Sequence, residues 1–336
     1  MNYEHIWNEW SDAAQFSGVF SVSDENGVLF EKCAGLRNKS ENLPNNKNTS
    51  FSIASGTKMF TGLAVCKLID ENKLSLHARI CDILPHDLGQ ISKEVTIFHL
   101  LTHTSGVGDY IDEDAEDCEE QLQALYNKYP VQLWTRLEYY LQMITPLPPK
   151  FKAGERYGYS NSGFILLGLV VEAISGISYQ QFVHEAIISP CNLKHTGFYR
   201  ADSLPANTAL GYMKNENSYK TNIFNLPILG GSDGGLYTCA EDLDKLWRAV
   251  FKGEIISDKM LNEFIKNQSI MNEFESYGLG VYRHETKDKL FYYAVGGDAG
   301  VDFFTAYLPE QQIVISALGN TNVNTYPLIE MMFSML

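Results

Sequence analysis

Ser55 and Lys58 form the single Ser-x-x-Lys of this chain, within the run Phe51-Ser-Ile-Ala-Ser-Gly-Thr-Lys-Met-Phe60. A serine hydroxyl at its free pKa is a poor nucleophile, and a lysine made neutral by burial can take its proton. The spacing suits that task. Met59, Phe60, Leu63, Ala64 and Leu68 recur at helical intervals after the pair, so a helix opens here and residues three apart share a face. Its N-terminus would add unpaired N–H groups and a positive dipole end beside any oxyanion that forms. Taken alone, a polar pair three residues apart on a helix is more often solvated decoration.

A second pair sits at Tyr159-Ser-Asn161, the single Tyr-x-Asn of the chain. It follows the turn-rich Phe151-Lys-Ala-Gly-Glu-Arg-Tyr157 and opens an apolar helix, 161–174, stopped by Gly176. Beside Ser55, a tyrosine can shuttle protons, and an asparagine amide can hold both Lys58 and a substrate carbonyl. Alone, the same residues read as a loop tyrosine and an N-cap asparagine. A third region, Val295-Gly-Gly-Asp-Ala-Gly300, ends a predicted strand. Its glycines let another backbone approach closely, as an edge strand flanking a cleft requires, although a plain turn between antiparallel strands needs them too. His99 and His103 are four apart, but no Glu follows His99 and no third ligand is evident. A capped structural turn is expected there rather than zinc.

The elements that must position these residues fall in three blocks. After a short amphipathic helix to Ala14, two alternating runs flank Asp24-Glu-Asn-Gly27, a hairpin signal. From Ser55 to about residue 275 the pattern is mainly helical. Thr96 caps a short helix over 97–102, the acidic stretch 109–120 leads into a helical run ending near Met143, and Pro146-Leu-Pro-Pro149 is a rigid linker. Thr238-Cys-Ala-Glu241 reads as a capping box for a helix through Phe251. Strand patterns return at 277–283, 290–295, 302–308 and 313–318, followed by a C-terminal helix. Strands at both ends with helices between predict an α+β fold. One antiparallel sheet of about five strands, built from both termini and flanked by helices, carries a mainly helical insertion. The expected division is 1–55 with 236–336 for the sheet and 56–235 for the insertion, with the active site at their interface.

Composition narrows the partners. Hydrophobic residues at 45% and aromatics at 12% are enough for a substantial core, and 336 residues suit two domains or one large one. The net charge of −15 argues against nucleic acid or an anionic membrane as partner. The longest wholly apolar stretch, 164–171, is far shorter than the ~20 residues of a membrane helix. Six scattered cysteines without a Cys-x-x-Cys, and no signal-peptide pattern, read as reduced thiols in a cytoplasmic protein, or in an extracellular one if a leader was removed.

These three stations, in this order, resemble the serine penicillin-recognising superfamily, and within it the class C β-lactamase, DD-peptidase and esterase branch. The resemblance runs nearly end to end. It includes Phe51 to Lys58, His99-Leu-Leu-Thr-His-Thr-Ser-Gly106, Gly154-Glu-Arg-Tyr-Gly-Tyr-Ser-Asn-Ser-Gly-Phe-Ile-Leu-Leu-Gly168 and Gly234-Gly-Leu-Tyr-Thr-Cys-Ala-Glu-Asp-Leu243. It implies that Ser55 is the acylated nucleophile, Lys58 its activating partner and Tyr159 a proton shuttle, with Asn161 orienting substrate and Lys58. It also implies an oxyanion hole made by the backbone N–H groups of Ser55 and Asp298. The family's third motif is Lys or His, any residue, then Gly. Aligned on Val295-Gly296-Gly297, it lacks the cation that normally helps bind a substrate carboxylate, and Asp298 would repel one.

The expected function is therefore a serine hydrolase acting through an acyl-enzyme on an ester or amide, carboxylesterase-like. A D-alanyl-D-alanine carboxypeptidase, a D-amino-acid peptidase or a weak β-lactamase is the alternative. A non-catalytic binding or sensor module of the same fold is a second, against which the intact Ser55, Lys58, Tyr159 and Asn161 stand. No metal or organic cofactor is implied, and the expected partner is a small-molecule or peptide acyl substrate.

Overall fold

The computed structural model describes residues 3–113, 115–215, 218–323, 325, 327–328 and 330. Eight strands pair antiparallel into one sheet: β1 (Gly18–Asp24), β2 (Gly27–Ala34), β3 (Ser269–Ile270), β4 (Glu275–Tyr277), β5 (Tyr282–Glu285), β6 (Leu290–Asp298), β7 (Val301–Leu308) and β8 (Ile313–Gly319). Their order is β2-β1-β8-β7-β6-β5-β4-β3. The central strands are apolar on both faces because both are covered. Phe303 and Tyr307 of β7 join the large helical core, while Phe304, Ala306 and Leu308 meet Trp7 and Trp10 of helix α1 (Tyr3–Ala14). Successive side chains of a strand point to opposite faces, so one strand serves both cores.

Eight strands replace the expected five for two reasons. Strand β3 is two residues long and β4 three, too short for a period of two to register. The single strand expected over 277–283 is also two strands, because the chain reverses at Gly278-Leu-Gly280, where Gly280 has φ +112°. That turn lies against the helix of Lys58: a Cβ on Gly280 would stand 2.9 Å from Gly62 Cα and 3.0 Å from Lys58 O. The first hairpin forms at Asp24-Glu-Asn-Gly27 as expected, with Asp24 Oδ1 accepting the N–H groups of Asn26 and Gly27.

The chain leaves the sheet through Phe51–Ser52 and returns through Tyr237–Thr238, two short segments paired with each other. Between and after them run α2 (Thr57–Asp70), α3 (Ile97–Leu101), α4 (Cys118–Lys128), α5 (Glu138–Ile144), α6 (Asn161–Ser175) and α7 (Ala240–Phe251). The helical run expected up to Met143 is broken between α4 and α5, where Pro130 removes a donor. Helix α6 ends at Gly176 in the left-handed conformation, as expected. The capping box expected at Thr238 does not form. Cys239 is the N-cap of α7, the Thr238 hydroxyl instead pairs with that of Thr196 (2.7 Å), and Glu241 meets Lys245 (2.6 Å). The C-terminal helix expected after Leu318 falls largely outside the described residues. Among the described residues no single helix is long and apolar enough to cross a membrane.

Candidate active site

Ser55 lies in a single 3₁₀ turn, Ala54–Gly56, that feeds directly into α2. The turn is strained, since Ala54 is held at φ +44°. Segment 235–236 holds it: Ile53 N–H donates to Leu236 O (2.9 Å), and Gly235 N–H to Ala54 O (3.3 Å). Thr57 completes the clamp, donating its hydroxyl to Ala54 O (2.8 Å) and accepting Leu236 N–H (3.0 Å).

Lys58 is 2% exposed, and its Nζ is within hydrogen-bond distance of Ser55 Oγ (2.9 Å), Asn161 Oδ1 (2.7 Å) and the Asp233 carbonyl (2.7 Å). Burial pushes its pKa below the ordinary lysine range, against the pull of Asp233, Glu113, Asp109 and Asp298. The partner types then decide where a neutral amine points. Asn161 Oδ1 and a backbone carbonyl can only accept, so they take its two N–H bonds and its lone pair is left facing the one partner able to donate, Ser55. The Tyr159 hydroxyl donates to Ser55 Oγ from the other side (2.7 Å). Burial, helped by Tyr282 and Glu113, raises its pKa well above the ordinary phenol range, so it keeps its proton.

Helix α6 brings in Asn161, which proves to be its first helical residue; the N-cap is Ser160, whose hydroxyl accepts Gly163 N–H (3.0 Å). Asn161 bridges Lys58 to Glu113, donating from Nδ2 to Glu113 Oε1 (2.9 Å). Asp109 caps the same helix end, accepting Asn161 N–H (2.8 Å) and Ser162 N–H (2.9 Å). Burial pushes its pKa up to about 7, opposed by those donors. Below Lys58, Asp233 Oδ2 accepts the Tyr110 hydroxyl. Asp109, Tyr110, Glu113 and Asp233 had no recognisable spacing; the acidic stretch 109–120 was the one hint. His99 and His103 belong to no metal-binding group of side chains among the described residues. His99 completes a capping box with Thr96, and His103 Nδ1 accepts Ser160 N–H (3.1 Å).

The third region shifts by one residue from its expected alignment. A Cβ on Gly296 would stand 2.1 Å from Ile53 O and 2.9 Å from Ser55 N, so Gly296 is the glycine that the nucleophile turn requires. Two positions earlier stands Ala294, which faces the helical core and the cleft, whereas Val295 packs on the opposite face with the α1 cluster. The missing cation is thus replaced by Ala294 rather than Val295. The donor shifts too. Asp298 and Val301 close the two-residue β6–β7 hairpin, and such a closing pair exchanges both of its hydrogen bonds, so Asp298 N–H is turned to β7. Alternation along the ladder turns Gly297 N–H out of it, toward the cleft. Gly297 is exposed and its Cβ position is open. Two glycines in a row leave no side chain from which to count the register.

Ser55, Gly297 and Glu113 line both of two cavities that meet at the nucleophile. The larger is about 300 Å³, with Tyr110, Tyr126, Trp134 and Leu226 on its walls and Asp233 and Asp298 at its polar end. Burial, with Glu113 and Asp233 nearby, pushes the Asp298 carboxyl up to about 7.

A serine held between an amine and a phenol, on a turn at a helix start and against a sheet strand, defines a serine hydrolase of the β-lactamase and penicillin-binding-protein kind. The chain belongs to the Beta-lactamase family, whose sequence profile matches residues 9–329. It is similar over its full length to a penicillin-binding protein from Bacillus halodurans, with 35% identity, 100% of both chains covered and a TM-score of 0.92. It is 24% identical to the teichoic acid D-alanine hydrolase of Staphylococcus aureus, over 94% of this chain and 74% of that protein. A D-stereospecific amidohydrolase from Streptomyces shares the fold at 21% identity, a TM-score of 0.83 and 98% of both chains.

Proposed function

We propose that this protein hydrolyses esters or amides through an acyl-enzyme on Ser55, with substrates that are not selected by a carboxylate. The observation that carries the reading is the Ser55 hydroxyl held between Lys58 Nζ and Tyr159 Oη. As Ser55 Oγ bonds to the substrate carbonyl carbon, its proton passes to Lys58 Nζ. The carbonyl oxygen becomes the oxyanion between the N–H groups of Ser55 and Gly297. On collapse the leaving group takes a proton through Tyr159, which is resupplied by Lys58. Water then reverses the sequence and releases the acid.

Incubation with a fluorophosphonate and, separately, with benzylpenicillin tests this by intact mass, with Ser55→Ala as control. The expected result is a Ser55-dependent phosphonyl adduct and no penicilloyl adduct, because Ala294 offers a substrate carboxylate nothing to bind. Absence of both adducts would overturn the reading in favour of a non-catalytic module.

A second reading is favoured by the acidic cleft. Glu113 and Asp298 suit an acyl group bearing a free ammonium, such as the D-alanine in the name of the Staphylococcus aureus relative. Ionised Asp298 attracts an ammonium and the neutral acid does not. The KM for D-alanine p-nitroanilide is therefore expected to fall about fivefold between pH 6 and pH 7.5, as Asp298 titrates near 7. N-acetyl-D-alanine p-nitroanilide, or Asp298→Asn with either substrate, should show no such fall. A parallel fall for both substrates sinks this version.

A further inference from the structure

We infer that His103 is a positioning residue, holding Tyr159 against Ser55 by gripping the chain on both sides of the tyrosine and the face of its ring. The inference rests on the proton-shuttle role proposed for Tyr159. His103 O accepts the N–H of Gly158 (2.8 Å), and His103 Nδ1 accepts the N–H of Ser160 (3.1 Å). Its imidazole lies 4.6 Å, centroid to centroid, from the Tyr159 ring. The residues immediately before and after Tyr159, and its side chain, are thus tied to one fully buried residue.

The arrangement uses both the backbone and the ring chemistry of histidine. His103 adopts φ +55°, which turns its carbonyl toward Gly158 while its own N–H bonds back to Leu100 O at the end of α3. To accept from Ser160, Nδ1 must carry no proton, so the single ring proton sits on Nε2. Nε2 meets no hydrogen-bond partner among the described residues. Instead the ring is enclosed by Tyr157, Tyr159, Phe164 and Tyr277. A buried, unpartnered N–H is tolerated only where something else is gained. Burial and the neighbouring Lys58 push His103 well below the ordinary imidazole range, which keeps Nδ1 an acceptor. The other titratable groups around it are Tyr157, Tyr159 and Tyr277, all raised by burial.

The test is a double-mutant cycle with Tyr159→Phe, read as kcat on p-nitrophenyl acetate per folded molecule by circular dichroism. His103→Ala is expected to lower kcat about 10²-fold, the scale of a catalytic group displaced by about an ångström. In the Tyr159→Phe background it should cost less than threefold, because there is no shuttle left to misplace. His103→Asn keeps a left-handed backbone and an acceptor for Ser160 N–H, so it should recover at least tenfold and also serves if the alanine variant does not fold. Losses that multiply in the double mutant would mean a general structural role and overturn the inference. So would a His103→Ala enzyme of normal kcat beside a dead Tyr159→Phe enzyme. A fully active Tyr159→Phe enzyme would instead remove the shuttle reading, and this inference with it.

Discussion

A Lys58→Ala enzyme is expected to hydrolyse p-nitrophenyl acetate about 10³-fold more slowly than the parent, with KM little changed. General-base assistance is worth about 10²–10⁴-fold, and no other amine lies within hydrogen-bond distance of Ser55 among the described residues. Tyr159 cannot substitute, since burial holds its phenol protonated. The effect should be one on rate, not on folding alone. Lys58→Met, which fills the space without the amine, should be as inactive as the alanine variant, and its far-ultraviolet circular dichroism should match the parent. The fluorophosphonate rate at Ser55 should drop in parallel. Labelling at an undiminished rate would show that Lys58 is not the group that activates the serine.

The second large effect lies at a residue with no side chain. Gly296→Ala would place a methyl 2.1 Å from Ile53 O, and neither backbone can yield without moving Ser55. Overpacking of this kind costs about 3 kcal/mol. The displaced turn should also cost activity about 10²-fold by misaligning Ser55. Gly297→Ala is the control on the same strand. Its Cβ meets nothing within 4 Å, so its melting temperature should stay near that of the parent. Equal melting temperatures for Gly296→Ala and the parent would contradict the close approach of β6 to the nucleophile turn.

What could be read before the fold was in hand follows a physical divide. Ser55 with Lys58, and Tyr159 with Asn161, are pairs two or three residues apart, so local geometry alone brings them together. Asp233 and Glu113 reach the same lysine environment from loops that only tertiary packing makes neighbours. The hairpin at Gly27 and the stop at Gly176 were visible because each depends on one glycine and its flanks. The third motif misled by one position because Gly296 and Gly297 look alike until a ladder assigns each a face. The added strands β3 and β4 exist through pairing with a neighbour, which no window of three residues records.

The pairing of β1 with β8, which sets Gly18 opposite Gly319, bears on how this enzyme comes into being. On the ribosome, the nucleophile segment emerges ahead of its supports: its clamp waits for Leu236 and the strand that presses on it for Gly296. A nascent chain therefore carries its reactive serine long before it can use it. The sheet cannot close until β8 is made, and contacts this distant in sequence form slowly. Hydrolytic competence should arrive abruptly, once β8 has been made and paired with β1, rather than grow with chain length.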